Sequence, residues 1–182
     1  MHIHYGKGSV ILYALQDYIG EEKVNNALKS FLEEFRYKEP PYHTTLDFLR
    51  HLEPQVPDSL KYLITDWFKE ITLYDYRLKE ATYKPLASGK YEVSMKVEAY
   101  QLKADTIGNE TKVKFDDWVD IGVYADDDEK KLIYQKRVKF NANTMNFKFE
   151  IDAIPAKAAI DPRRMLIERV ITDNVKKVVL KD

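Results

Sequence analysis

Cysteine is absent from this chain of 182 residues, which removes disulfides, thiolate metal ligands and cysteine nucleophiles at once. A surplus of either charge is absent too: 29 Lys and Arg face 30 Asp and Glu, a formal net charge of −1. That balance argues against a nucleic-acid binder working by bulk positive charge, and against a polybasic membrane-surface protein. No apolar run approaches roughly 18 residues, so nothing has the length of a spanning helix. The N-terminal segment does not read as a signal peptide, because Val10–Leu15 is short and no A-x-A-like site follows it. It reads as a chain entered in the middle of a domain. What is present is 45% hydrophobic and 13% aromatic content, enough for a packed core and too much for low-complexity disorder.

The apolar period divides the chain. Residues 9–71 carry the helical period. Val10, Ile11, Tyr13, Ala14, Leu15 and Tyr18 predict a first helix, apolar on more than one face and ended by Gly20. Val24, Ala27, Leu28, Phe31, Leu32 and Phe35 form a single apolar stripe on a second. Pro40 and Pro41 close that stretch, and Thr44-x-x-Asp47 resembles a capping box opening a third short helix. Pro57-Asp58-Ser59 opens a fourth, with Leu60, Leu63, Ile64, Trp67, Phe68 and Ile71 inward.

From about Thr72 the period drops to two. Tyr91, Val93, Met95, Val97 and Ala99 alternate with polar residues, as do Met145, Phe147, Phe149 and Ile151. Further strands are expected at 73–84, 117–124, 132–140, 165–171 and 175–180. Turn chemistry separates them at Ser88-Gly89, Gly108-Asn109, Asp126-Asp127-Asp128 and Asn141-Ala142-Asn143. The expected fold is α+β: a helical segment of about four helices over residues 1–72, then an immunoglobulin-like β-sandwich of about seven strands over 73–182.

Motifs for chemistry are sparse. His2, His4, His43 and His51 include no H-e-x-x-H pair; His2 and His4 share a face only if their segment is a strand, and His43 and His51 read as surface residues. Asp126–Glu129 lacks EF-hand spacing and reads as a solvated hairpin tip, with Asp116, Asp117 and Asp173 as turn residues. Gly6-Lys7-Gly8-Ser9 lacks the spacing of a phosphate loop, and no strand precedes it. No metal site and no cofactor site is expected in this chain.

The stretch from His4 to Gly20, with Tyr5-Gly6-Lys7-Gly8 opening a buried helix, resembles a region of the gluzincin zinc aminopeptidases, the family of aminopeptidase N and leukotriene hydrolase. Pro41–Phe48, Pro57–Phe68, Ile71–Asp75 and Ile160-Asp161-Pro162 are similar to a bacterial subgroup fused to membrane segments of transporter-permease type. The resemblance implies that the helices are the C-terminal part of a thermolysin-like catalytic domain. It implies that Tyr5 is the catalytic tyrosine, a neutral phenol donating to the oxyanion of the tetrahedral intermediate. The zinc ligands and the general-base glutamate of that family would lie upstream of Met1, so zinc is expected in the full-length parent and not here. The implied partners are the upstream catalytic half and a peptide substrate, with no nucleic acid, and a dimer contact through an exposed helical face. The isolated chain is expected to be soluble and inactive, and the parent to be anchored in a bacterial cell envelope. A second reading is a non-catalytic interaction or adaptor module, with Trp118, Tyr124 and Tyr134 as contacts if exposed.

Overall fold

The computed structural model describes residues 7–114, 116–168 and 170–181. They fall into two compact units that meet in sequence at Ile71 and Thr72.

The first unit is helical. Helix α1 (Gly8–Ile19) buries Ile11, Ala14, Leu15 and Ile19. Leu12 and Tyr18 are half-buried, and Val10 and Tyr13 are exposed, so one apolar side of the helix is left uncovered. Gly20 ends the helix at φ +95°, a backbone region that glycine occupies freely, and its N–H donates to Gln16 O at 2.8 Å. Helix α2 (Glu21–Phe35) buries Val24 and Ala27 and places Glu21 and Glu22 in its first turn, where the helix dipole favours acids. Helix α3 (Thr45–Leu52) opens on the capping box, with the Thr44 N–H donating to Asp47 Oδ2 at 2.9 Å.

The expected fourth helix is broken into pieces. A 3-10 turn at Asp58–Leu60 leads to one α turn, α4 (Tyr62–Ile64), and then a π turn at Thr65–Lys69. The Glu70 N–H reaches back five residues to Thr65 O at 2.9 Å. This wider turn lets both Asp66 and Trp67 enter the interior, and Trp67 packs edge-on against Tyr18 at 5.5 Å. Helical periodicity at 60, 63, 64 and 67 does not distinguish these turn types.

The second unit consists of two sheets. The first contains β1 (Ile71–Pro85), β2 (Tyr91–Ala104), β3 (Glu110–Val113), β6 (Thr144–Ile151) and β9 (Val179–Leu180). The second has the order β5–β4–β7–β8, built from β4 (Asp117–Tyr124), β5 (Leu132–Phe140), β7 (Lys157–Ile160) and β8 (Val175–Lys177). The alternating runs pair as neighbours: Val93 lies opposite Phe149, Met95 opposite Phe147 and Val97 opposite Met145. Aromatic stacks join β5 to β6, with Tyr134 on Phe149 at 4.2 Å and Phe140 on Phe147 at 5.3 Å. Tyr76, Leu78, Met95, Ile121, Phe140 and Ile160 are the large buried side chains here.

This architecture corrects the expected immunoglobulin-like sandwich of about seven strands. The described residues form nine strands, and β9 runs parallel to β1, which an all-antiparallel sandwich does not provide for. The extra strands have physical reasons for going unseen. β7 reads Lys-Ala-Ala-Ile with Ala158, Ala159 and Ile160 all buried, so it carries no alternation. β3 is a short polar edge strand. The expected strand at 165–171 is instead a loop with a single parallel bridge, Tyr74 to Glu168. The loop forms because the buried Asp161 carboxylate takes the N–H groups of Met165 and Leu166 at 3.0 and 2.7 Å, which the ladder would otherwise use. The expected strand at 175–180 splits into β8 and β9, which join different sheets.

Among the described residues, no helix is long and apolar enough to cross a membrane.

Candidate functional site

Tyr5 lies outside the described residues, as do His2, His4 and Gly6. The helix that begins beside it is described from its first turn. Lys7 is partly buried there, and burial pulls its ammonium below the ordinary lysine range.

Among the described residues, no group of three or more His, Cys, Asp or Glu is placed to hold a metal ion. His43 stacks on Phe35, with ring centroids 3.9 Å apart. His51, expected at the surface, is largely buried between α2 and α3. Its Nδ1 lies 2.7 Å from Ser30 Oγ and its Nε2 lies 2.9 Å from Glu34 Oε2. The outline is that of a serine nucleophile with its base. However, Ser30 sits mid-helix, where the neighbouring backbone N–H groups are spent on the helix ladder and none is left to stabilise an oxyanion. The trio ties two helices together.

A denser constellation of polar groups lies in the second unit. A cavity of about 250 Å³ is lined by Leu73, Tyr74, Asp75 and Arg77 of β1, by Leu102 and Glu110, and by Glu168, Val170 and Asp173. Glu168 is its centre. Its Oε1 accepts the backbone N–H of Tyr76 at 2.5 Å, and its Oε2 accepts from Asn174 Nδ2. Burial drives the Glu168 carboxyl upward, and the negative charges of Asp173 and Asp75 add to this. The two donated hydrogen bonds offset only part of the rise, and the group is pushed up to about 7. Arg77 grips Asp75 through Nε and Nη2 at 2.8 and 2.7 Å and lies 4.0 Å from Asp173.

A second network centres on Asp120 of β4. Its carboxylate accepts from Gln135 Nε2 at 2.8 Å, Arg137 Nε at 2.8 Å and Arg163 Nη2 at 3.1 Å. Its backbone O accepts the Asp161 N–H at 2.7 Å. This network pins the Ile160-Asp161-Pro162 element to the second sheet.

The acidic run behaves as a hairpin tip. Asp126 accepts the N–H groups of Lys130 and Lys131 at 2.9 and 2.6 Å. Asp117, read as a turn residue, is buried on β4 instead. Of the aromatics offered as contacts, Tyr124 is buried and donates to Pro162 O at 2.6 Å. Tyr134 is spent on the Phe149 stack, and Trp118 is partly exposed with Lys139 Nζ 5.5 Å from its ring centre.

Sequence reading missed Glu168, Asn174 and Asp120. The available signal was weak: single acids within apolar runs, Glu168 after Met165-Leu166-Ile167 and Asp120 between Val119 and Ile121.

No family model matches the chain, and no curated protein matches it. Among solved structures, aminopeptidase A of Legionella pneumophila, in complex with aspartic acid, is similar over 88% of this chain at 17% identity, with a TM-score of 0.49. The chain spans 17% of the length of that protein.

Proposed function

We propose that this chain is the C-terminal portion of a zinc-dependent aminopeptidase, and that Tyr5 supplies its oxyanion donor. The observation that supports this reading is that the sequence Tyr5-Gly6-Lys7-Gly8 runs into the start of α1, a helix anchored through Ile11, Ala14, Leu15 and Ile19. A tyrosine side chain carries a phenol. Its O–H donates one hydrogen bond to the oxygen on which negative charge develops, and it stays neutral near pH 7. The helical unit would back the catalytic domain, and the two-sheet unit would brace it. Its zinc ligands would belong to the upstream catalytic half, together with the surfaces that recognise the peptide. Fusion of that parent to membrane segments in a bacterial envelope belongs to the same proposal.

Tyr5→Phe in the longer enzyme tests the reading. The substitution removes one hydroxyl and keeps the ring. Loss of one oxyanion donor is expected to lower kcat by about 10²–10³ at unchanged zinc content. A Phe variant with near-normal kcat would return Tyr5 to ordinary packing. The chain by itself is expected to bind no stoichiometric zinc and to turn over no aminoacyl substrate, since catalytic zinc needs several protein ligands.

A non-catalytic interaction module is the second reading. It is favoured by the exposure of Tyr13, Leu32, Tyr42 and Leu46 in the helical unit. Partner binding by a chain whose longer form lacks peptidase activity would select it.

A further inference from the structure

The outer edge of β1 is covered by an irregular segment rather than by a full strand. Glu168 bridges to Tyr74, and the Leu78 N–H donates to Asp173 O at 2.9 Å. β9 pairs only at Thr82 and Tyr83, after which the Lys181 N–H donates to Tyr83 O at 2.8 Å. Between the first two of these points the ladder has a gap, and a side chain fills it: the Tyr76 N–H goes to the Glu168 carboxyl. The same carboxyl takes Asn174 Nδ2, while Asn174 O accepts the Ile160 N–H of β7 at 2.9 Å. One titratable group thus links the edge of the first sheet, through Asn174, to the second.

We propose that the segment from Glu168 to Lys181 is a pH-sensitive clasp, which holds the edge of β1 tightly while Glu168 is protonated and slackens when Glu168 ionises.

The geometry carries the direction. The charged groups around Glu168 are Asp75 and Arg77 from β1, Glu110 from β3 and Asp173 from the clasp itself. Among the described residues that line the cavity Arg77 is the one cation, and Asp75 and Asp173 already share it. An ionised Glu168 adds a further negative charge to a half-enclosed site. Asn174 is 5% exposed, and its Oδ1 is buried without a donor, as is Oδ1 of Asp173. Burial of these groups weakens the solvent screening that an added charge would otherwise receive. The elevation of this carboxyl to about 7 places the upper end of the change near neutrality.

The test is amide hydrogen exchange on the full chain, resolved by residue between pH 5.5 and 8.5 and corrected for intrinsic base catalysis. The reporting amides are Tyr76, Leu78, Ile160 and Lys181, with Val93 in the core of β2 as the reference. Their protection relative to Val93 is expected to fall on the order of tenfold as pH rises from 5.5 towards 7 and to level off above it. Glu168→Gln is uncharged at every pH and should remove the step. If that variant does not fold, the 13C shift of the Glu168 carboxyl in the unmodified chain gives its midpoint directly. Protection that is flat with pH, a step that persists in Glu168→Gln, or a carboxyl midpoint in the ordinary glutamate range each overturns the proposal.

Discussion

Arg137 stands directly opposite Asp120 in the β4–β5 ladder and clasps its carboxylate through Nε at 2.8 Å and Nη2 at 3.1 Å. Cross-strand opposition brings the pair together, and the two-point geometry of guanidinium on carboxylate fixes it. Burial alone would push Asp120 up. The hydrogen bonds and charge of Arg137, with Gln135 and Arg163, outweigh burial and hold it below the usual carboxylate range.

Asp120→Ala is therefore expected to destabilise the second unit by about 3 kcal/mol, because it leaves two guanidinium groups without their shared acceptor. Urea denaturation followed by tryptophan fluorescence measures this through Trp118. A depressed carboxylate contributes stability above its unfolded pKa of about 4, and that stability is lost as pH falls through the lower folded value. The wild-type urea midpoint should drop in this acid range more steeply than that of Asp120→Ala. Equal slopes would remove Asp120 from the account of acid stability.

Glu168 has the opposite sign. Its folded pKa is raised, so its contribution is fully present below the unfolded value of 4.5 and is lost as pH rises towards the folded value of about 7. With allowance for solvent screening the loss is on the order of 1 kcal/mol. The urea midpoint of the wild-type chain should decline between pH 5 and 7.5, and that of Glu168→Gln should stay level. A wild-type profile level over this window would contradict the burial argument.

Gly122 supplies a steric test. A Cβ there would lie 2.8 Å from Pro162 Cγ and 3.0 Å from Leu132 Cδ1. The proline ring belongs to the loop pinned by Asp161 and cannot swing aside as a flexible chain end would. Gly122→Ala is expected to cost about 1–3 kcal/mol through overpacking. A thermal midpoint equal to that of the wild type would mean that the Ile160-Asp161-Pro162 element yields easily.

How much was legible in the sequence follows from these same residues. Tyr91–Ala99 displays one covered face, and a covered face leaves a period; the stripe from Val24 to Phe35 leaves one too, although Leu32 on it is exposed. Lys157–Ile160 is covered on both faces, and a strand of that kind has none to leave. The π turn at Thr65–Lys69 shares its spacing with an α-helix until Trp67 has to be placed. The Glu168 cavity brings β1 and β3 together with a loop at the far end of the chain, a juxtaposition that only the sheet topology creates. Asp173, a turn residue by local chemistry, lines that cavity because its backbone O is the acceptor for Leu78. Tyr5 remains a reading from resemblance.

The exposed face of α1 offers the last test. Tyr13 is 64% exposed and Val10 37%, while Ile11, between them in sequence, is buried. A helix apolar on two sides with one side covered has the other available for a contact with a second copy of the chain or, under the proposed function, with the upstream half. Tyr13→Ser and Val10→Ser act on that side alone. Because neither side chain is in the core, each is expected to change unfolding free energy by less than about 0.5 kcal/mol. Sedimentation velocity over a concentration series is expected to show the purified chain self-associating, and the double variant doing so at least several-fold more weakly. A wild-type chain that stays monomeric at the highest concentration would leave no dimer contact on this face. In that event, under the proposed function, addition of a separately produced upstream half should bring about a complex that the double variant fails to form. Failure of both chains to bind would mean that Tyr13 and Val10 are simply solvent-facing.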